Sequence, residues 1–231
     1  MKNILNQKPT INTAGRVKYS LEYVNKSDIF NKTILDIGCG FGWSEINFLK
    51  RRAKSICAIE ISEIDLLAAK SNIKDSRVEF KVGSAIKIPY PDNYFDTIVS
   101  WEVLEHIPKD TELLMYSEVS RVLKKGGIFY LSTPFKHFIT NILDPAWWMI
   151  GHRHYSKRQL AFFGEKNGLA MTDFNVRAGF WTIASLLNLY ILKWVFRRKR
   201  FAERFFMEKE NEEYFSENKG IFNIFAKYQK K

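Results

Sequence analysis

The sequence predicts an α/β fold in which a mostly parallel sheet lies between two layers of helices. The first observation is that short apolar runs alternate with helical patterns over residues 33–134. The second is a glycine-rich turn, GCGFG at residues 38–42, between the first apolar run and the helix that follows. The third is the length of 231 residues, which suits one domain with a substantial core. We therefore expect a single domain over residues 1–231, with right-handed crossovers between parallel strands.

Five strands are predicted in the first half of the chain, after a leading helix at residues 14–26. Each is a short apolar run. They are TILDIG (33–38), SICAIEI (55–61), RVEFKV (77–82), FDTIVSW (95–101) and GGIFYLSTP (126–134).

Start and stop signals place the helices between these strands. FGWSEINFLKRR (41–52) follows the glycine turn, and Ser62 caps the next helix. A long helix begins at Asp110 or Thr111 and is predicted to end at the glycine pair 126–127, a C-terminal stop signal.

The second half is less regular. Ser156 caps a helix that ends near Gly168, and LAMTDFNVRAG (169–179) is a strand. The last strand is predicted at residues 220–231. An insert at residues 179–217 separates these two strands, and we expect it to be helical.

The glycine turn is typical of a ligand site. A strand that leads into a glycine turn and then a helix presents backbone N–H groups to a nucleotide-like ligand. The glycines let the backbone approach that ligand closely. Glu60 ends the second apolar run about 20 residues later, where such folds bind ribose hydroxyls. A tight turn also needs glycine for structural reasons alone, so Glu60 is the stronger signal.

The motif DIGCGFG (36–42) resembles that of the class I S-adenosylmethionine (SAM)-dependent methyltransferases, type 11. It differs from the G-x-G-x-x-G pattern of dinucleotide-binding dehydrogenases. The resemblance continues through residues 82–107 and 123–134, and more loosely to about residue 170. It implies a three-layer Rossmann-like sheet whose last strand runs antiparallel between the fifth and sixth. It also implies SAM as the cofactor, S-adenosylhomocysteine (SAH) as the product, and no metal.

The resemblance also implies which residues bind the cofactor. The glycine turn and Asp36 would hold the amino-acid end of SAM, and Glu60 would accept both ribose hydroxyls. Ser84 stands where similar enzymes often have an acid for the adenine amine, and a neutral hydroxyl holds an amine less firmly. The predicted cofactor residues are Asp36, Gly38, Cys39, Gly40, Gly42, Glu60, Ile61, Ser84, Ala85 and Trp101.

Three histidines are the candidate catalytic residues: His106, His152 and His154. Methyl transfer from a sulfonium needs alignment above all, and a base only when the acceptor is a hydroxyl or similarly weak acid. His106 resembles a site-shaping residue as much as a base. His152 and His154 lie in GHRHYSKRQL (151–160), which resembles a segment of glycan and lipid-glycan methyltransferases. Arg153 has two interpretations, a salt bridge or an acceptor contact.

Charge and apolar pattern together indicate a membrane surface. The formal net charge is +11, which attracts nucleic acid, anionic membrane or an acidic substrate. Residues 180–196 carry no charge before Lys193, and a basic cluster follows up to residue 204. This order is typical of an in-plane helix with cationic anchors, to which Trp147, Trp148, Trp181 and Trp194 would add interfacial contacts. A buried cap over the acceptor pocket, a dimer contact and a true span are the alternatives.

The two cysteines form no disulfide or zinc pattern, and the first residues lack an apolar stretch of secretory length. We therefore expect a cytoplasmic enzyme at the inner face of the membrane. The predicted function is methyl transfer to a hydroxyl or carboxylate of a glycan or lipid-linked acceptor. A quinone-precursor methyltransferase is the first alternative. A nucleic-acid methyltransferase lacks support, because no N-P-P-Y motif or target-recognition domain is present, and a non-catalytic SAM-binding protein is a further alternative.

Overall fold

The structure, a computed structural model, describes residues 9–143, 151–192, 201–217 and 219–231. Its centre is a seven-stranded sheet with the order β3-β2-β1-β4-β5-β7-β6. The strands are β1 Thr33–Ile37, β2 Ser55–Glu60, β3 Val78–Val82, β4 Phe95–Trp101, β5 Leu123–Pro134, β6 Leu169–Arg177 and β7 Asn223–Lys230. The predicted parallel sheet is confirmed: β1 to β5 pair in parallel.

The last strand is antiparallel to both of its neighbours, as the resemblance implied. Strand β7 pairs with β5 through Leu131 and Ala226, and with β6 through Phe174 and the same Ala226. Its position between β5 and β6 gives the sheet the order expected for the predicted fold class.

Helices cover both faces of the sheet. They are α1 Gly15–Tyr23, α2 Trp43–Lys50, α3 Glu63–Asn72, α4 Glu112–Val122, α5 Phe138–Leu143, α6 Lys157–Lys166, α7 Phe180–Tyr190 and α8 Glu203–Phe215. Ser62 and Ser156 cap α3 and α6 as predicted, each accepting a backbone N–H three residues later.

Alternating strand residues separate two apolar cores. Leu35 of β1 belongs to the core beneath α4, together with Tyr116 and Val119 of that helix. The neighbouring Ile34 belongs to the core on the other face, with Leu21 of α1 and Phe48 of α2. Successive strand side chains point to opposite faces, so this division produces the three-layer architecture.

Helix α4 is shorter than predicted. It ends at Val122, and β5 begins at Leu123, which already pairs with Phe95 of β4. The glycine pair at 126–127 therefore lies inside β5, where the register with β4 shifts. Gly126 has φ +75°. The glycines serve a strand irregularity here, and they do not terminate the helix.

The predicted helical insert is anchored to the sheet. Its described part contains α7 and α8, and the Glu213 side chain of α8 caps the start of α7. Glu213 accepts the backbone N–H groups of Gly179, Trp181 and Thr182 at 3.0, 2.7 and 2.9 Å. Tyr214 then packs with Phe225 of β7 in a separate apolar cluster.

The membrane prediction is only partly covered by the described residues. Within them, no helix is both long enough and apolar enough to cross a bilayer. Trp147, Trp148, Trp194 and the basic stretch 193–200 lie outside the described residues.

Candidate functional site

Two adjoining cavities open at the carboxyl ends of the parallel strands, where open α/β sheets bind ligands. The first, the Glu60 cavity, measures about 290 Å³. The second, the Arg16 cavity, measures about 280 Å³. Both are bounded by Gly38, Trp101 and Glu102, so they form two arms of one site.

Most of the predicted cofactor residues line these two arms. Glu60, Ile61, Ser84 and Ala85 line the Glu60 cavity. The Arg16 cavity is lined by the predicted Asp36, Gly38, Cys39 and Gly40. Gly42 is not among the lining residues and begins α2 behind them, with φ +95°.

A side chain at Gly38 would be strained and would displace a neighbour. Its φ is +77°, and a Cβ built on it would run into the Val103 side chain. Its backbone N–H donates to Ile59 O at 2.8 Å, as does that of Cys39 at 3.2 Å. The turn is thus fastened to the end of β2, which brings it close to Glu60.

The Glu60 carboxylate is held in place at the mouth of its cavity. Oε2 accepts the Gly40 N–H at 3.4 Å, and Oε1 accepts the Ile61 N–H at 2.8 Å. The Ser62 N–H also donates to Oε1, in a longer contact of 3.5 Å, while Oε2 keeps a lone pair without a donor, since each carboxylate oxygen has two lone pairs. The arrangement suits a pair of vicinal hydroxyl groups such as a ribose diol.

Asp36 forms a buried carboxyl pair with Glu45. Asp36 is 1% exposed and Glu45 is 0% exposed. Burial raises the pKa of Asp36 to about 6. Burial and the Asp36 charge raise the pKa of Glu45 well above its usual value. The two carboxyl groups therefore interact electrostatically behind the glycine turn.

The sequence did not point to Arg16, which enters the site from α1. Its Nη1 donates to Glu102 Oε2 at 2.9 Å, and Asn223 Nδ2 donates to the same oxygen at 2.9 Å. Ser132 Oγ donates to Glu102 Oε1 at 2.7 Å. Arg16 brings a cation to the arm that also contains the N–H groups of the glycine turn.

The predicted Trp101 separates the two arms. Its indole Nε1 is buried and has no hydrogen-bond partner among the described residues. A buried indole N–H without a partner is costly, so its position beside two cavities indicates a polar ligand atom. Trp43, at the start of α2, lines the Arg16 cavity as well, and the sequence motif gave no signal for it beyond its place after Gly42.

His106 and His152 face one another at the edge of the Glu60 cavity. Their Nε2 atoms lie 3.1 Å apart, and the ring centroids are 4.5 Å apart. Burial and the neighbouring His152 lower the pKa of His106. Glu105, which precedes His106, is buried, and its Oε2 accepts from Thr133 Oγ1 at 3.0 Å. Burial and the Glu102 charge raise the pKa of Glu105 well above its usual value.

Arg153 holds the loop that carries His106. Its Nη2 donates to Leu104 O at 2.9 Å and to Ile107 O at 2.6 Å. Its Nε donates to Tyr155 Oη at 2.9 Å and lies 3.5 Å from Glu112 Oε1. Of the two interpretations from the sequence, these contacts favour the structural one.

His154 lies apart from the two cavities. It is 7% exposed, and its Nδ1 is 2.6 Å from Asn141 Oδ1. It is not among the residues that line either arm. Its predicted catalytic role stays a prediction.

A third cavity, the Tyr214 cavity, lies between α1 and the insert. It measures about 680 Å³ and shares Arg16, Val17 and Trp43 with the Arg16 cavity. Its walls combine apolar and polar groups. They include Thr182, Leu186, Met207, Glu210, Tyr214 and Phe222.

The geometry is that of an α/β protein with two joined cavities at the carboxyl ends of its parallel strands, and known proteins share its sequence pattern and fold. A family model described as "Methyltransferase domain" matches residues 35–131. A sterol 24-C-methyltransferase of Gibberella zeae is 33% identical over 116 residues, 48% of this chain and 29% of the relative. The 27-O-demethylrifamycin SV methyltransferase of Amycolatopsis mediterranei is 34% identical over 99 residues, 41% of this chain and 35% of the relative.

The fold matches solved structures over nearly its whole length. A SAM-dependent methyltransferase from Mesorhizobium loti superposes with a TM-score of 0.66 at 16% identity, covering 96% of this chain and 100% of that one. Residues 35–131 thus match the methyltransferase-domain family, and the whole chain shares the fold of solved SAM-dependent methyltransferases. Its matches to the two curated relatives above span about a third of their length.

Proposed function

We propose that the chain binds SAM across the two arms and transfers its methyl group to an acceptor hydroxyl. The observation that carries this proposal is the shared boundary at Gly38, Trp101 and Glu102, which joins a ribose-type carboxylate to a glycine turn with a nearby arginine. The residues fit SAM, because Trp101 Nε1 is a buried donor without a partner among the described residues. When bound, SAM supplies an electrophilic methyl group on a sulfonium.

The chain's own groups then have distinct tasks. Glu60 accepts the ribose hydroxyls, and Arg16 takes the carboxylate end. Glu102 is held by three donors and would contribute negative charge at the boundary of the two arms, which favours a cationic ligand. His106 lines the same cavity and is the group best placed to take a proton from an acceptor.

We further propose that the acceptor is lipid-linked and enters through the Tyr214 cavity. This cavity meets the Arg16 cavity at Arg16, Val17 and Trp43, so an apolar body could lie against the insert while its head reaches the cofactor. A glycan carried on a lipid fits the combination of polar and apolar walls. The sterol named in one relative supports an apolar acceptor as a class.

A quinone precursor is the second candidate. The same cavity offers an aromatic wall, with Tyr214 and Phe222, against which a planar ring can pack. Such an acceptor also carries an apolar tail and a phenolic hydroxyl. The two candidates share the entry route and differ in the head group that reaches His106.

We propose that the insert rests on an anionic bilayer. Phe180, Phe201 and Phe205 are 69%, 75% and 45% exposed, although they are large apolar residues. Phe180 and Phe205 each contact Trp181 edge to face, with ring centroids 5.2 and 5.4 Å apart. The six basic residues at 193–204 lie next to this surface in sequence, and their charge complements anionic head groups.

The acceptor class is tested with radiolabelled SAM and two defined panels. One contains polyprenyl-linked sugars, and the other contains prenylated dihydroxyphenyl compounds. We expect labelled product in the organic phase with the first panel. Labelling of the second panel alone would favour the quinone candidate. Labelling of water-soluble sugars without either panel would contradict a lipid-linked acceptor.

Membrane contact is tested by sedimentation with vesicles of phosphatidylglycerol and phosphatidylcholine. We expect the wild-type chain to sediment with them and the Phe180→Ser/Phe205→Ser variant to remain in solution. Phe30→Ser is the matched control. Phe30 is also an exposed phenylalanine (50%), but it lies before β1, at the amino ends of the parallel strands. Equal sedimentation of all three proteins would contradict the proposed surface.

A further inference from the structure

Three ligand-type side chains meet beside the Glu60 cavity although they are not all adjacent in sequence. One ligand atom from each of Glu105, His106 and His152 lies within 4.8 Å of the others. His152 comes from the segment before α6, whereas Glu105 and His106 follow β4. The sequence predicted no metal, because no recognisable ligand spacing links residue 105 to residue 152.

We propose that Glu105, His106 and His152 bind one divalent transition-metal ion at the edge of the cofactor cavity. Two imidazoles and one carboxylate form a ligand set that zinc and iron(II) use in catalytic sites with open coordination positions. Methyl transfer from SAM does not itself need a metal ion, so this cluster would add a second function to the site.

The spacing of the two imidazoles fits joint coordination. At metal–nitrogen distances of about 2.0–2.1 Å, two nitrogens on one ion are about 2.9–3.4 Å apart for angles between square and tetrahedral. The Nε2 atoms of His106 and His152 are 3.1 Å apart. A single N–H···N hydrogen bond holds them at this distance without metal, and an ion would replace the shared proton.

Glu105 supplies the second, independent observation. It is 4% exposed, and its Oε1 has no hydrogen-bond partner among the described residues. Its Oε2 is occupied by Thr133, which fixes the carboxylate plane as outer-shell hydrogen bonds do for metal ligands. A buried carboxylate oxygen without a partner beside two imidazole nitrogens is the arrangement that a cation would complete.

The loop carrying two of the ligands is already positioned. Arg153 bonds to the carbonyl groups of Leu104 and Ile107, which flank the Glu105–His106 pair. The same arginine is adjacent to His152 in sequence, so one side chain ties both halves of the cluster together. Preorganised support of this kind is what a precise ligand set requires.

The ion would face the cavity, because His106 lines it. A hydroxyl that contacts a divalent ion loses its proton more readily, and because His106 would then be a ligand of the ion, the proton would pass to water instead of to His106. This role as an activator of the acceptor rests on the proposed function. The binding of the ion does not depend on it.

The test is a calorimetric titration of the full, untagged, chelator-treated chain with Zn²⁺, together with the visible absorption spectrum of the Co²⁺-loaded protein. We expect one equivalent per chain and a spectrum typical of nitrogen and oxygen ligands. His152→Gln and Glu105→Gln should each weaken binding by more than the roughly 10–100-fold cost of losing an outer-shell partner. His137→Gln should leave binding unchanged.

His137 is the matched control because the chain has four histidines and His137 is outside the cluster. Folding of every variant is checked by SAH titration, which the metal proposal leaves unchanged. Absence of a bound equivalent in the wild-type chain would overturn the proposal, as would equal losses in His137→Gln and His152→Gln. Loss of SAH binding by the wild-type chain would instead contradict the proposed function.

Discussion

Arg16 Nη1 lies 2.9 Å from Glu102 Oε2, which connects the first helix to the residue directly after β4. Glu102 has φ +55°, an uncommon conformation for a non-glycine residue. Hydrogen bonds from Ser132 and Asn223 hold its carboxylate as well. Groups from α1, β5 and β7 thus converge on the carboxylate that follows β4, beneath the Arg16 cavity, and the strain is compensated by these contacts.

Replacing Arg16 by alanine should weaken cofactor binding. The change removes the cation of the Arg16 cavity and one charged hydrogen bond, worth about 1.5–3 kcal/mol. We expect the dissociation constant for SAH to rise by about 10-fold or more in calorimetric titration. Arg204→Ala is the control, because that side chain is 89% exposed. Equal affinities for SAH in the two variants would contradict the role of Arg16.

Glu213 should stabilise the insert more than the neighbouring Glu212 does. Glu213→Ala leaves three backbone N–H groups at the start of α7 without their acceptor. We expect a loss of about 1–3 kcal/mol in unfolding free energy and faster hydrogen exchange at residues 179–182. Glu212→Ala is the matched control, because Glu212 makes only an exposed ion pair with Lys209. The same exchange rates in both variants would show that the cap contributes nothing.

Stability should depend on pH through the Asp36–Glu45 pair. Burial raises the pKa of Asp36 to about 6. Burial and the nearby Asp36 charge raise the pKa of Glu45 well above its usual value. The folded state therefore holds these protons more tightly than the unfolded state. Its stability is highest in mild acid and falls as pH rises from about 4 through 6 and beyond.

Replacement of Glu45 by glutamine should flatten this dependence. The amide has nearly the same shape as the carboxyl group but cannot ionise. We expect the drop in unfolding free energy between pH 5 and pH 8 to shrink by about 1 kcal/mol or more, since a tenfold change in proton affinity corresponds to about 1.4 kcal/mol. Denaturant titrations at pH 5 and pH 8 measure this drop in the Glu45→Gln variant and in Glu165→Gln, the control at an exposed carboxyl. An unchanged drop would mean that the pair does not titrate as described.

Gly38→Ala should be more harmful than Gly40→Ala. Both positions have positive φ, so both variants incur backbone strain of about 1 kcal/mol. Only at Gly38 would the new Cβ also meet Val103, whereas nothing lies within 4 Å at Gly40. We expect a lower melting temperature for Gly38→Ala. Equal melting temperatures would indicate that Val103 moves aside freely.

The strands and the cofactor arm were predictable because their signals are local. A strand, a glycine turn and an acid about 20 residues later lie in one continuous stretch, and the sheet aligns them by its own geometry. Glu60 therefore reached the expected place beside Gly40. The glycine pair at 126–127 did not predict the end of α4. The helix ends at Val122 because the next residue, Leu123, pairs with Phe95 of β4.

Residues brought together by distant segments gave no sequence signal. Arg16 is one basic residue among 36 lysines and arginines, and only the packing of α1 over the site selects it. His152 was proposed from its own segment, but its approach to His106 depends on the hydrogen bonds of Arg153. Such contacts are tertiary, so spacing along the chain does not encode them.

The most direct test is a calorimetric titration of SAH into the wild-type chain, Glu60→Ala and Glu63→Ala. Glu63 is the matched control because it is exposed in the first turn of α3, three residues from Glu60. We expect one binding site in the wild-type chain and in Glu63→Ala. Affinity should fall about 100-fold in Glu60→Ala, as expected for two lost charged hydrogen bonds. No SAH binding by the wild-type chain, or unchanged affinity in Glu60→Ala, would contradict the proposed cofactor site.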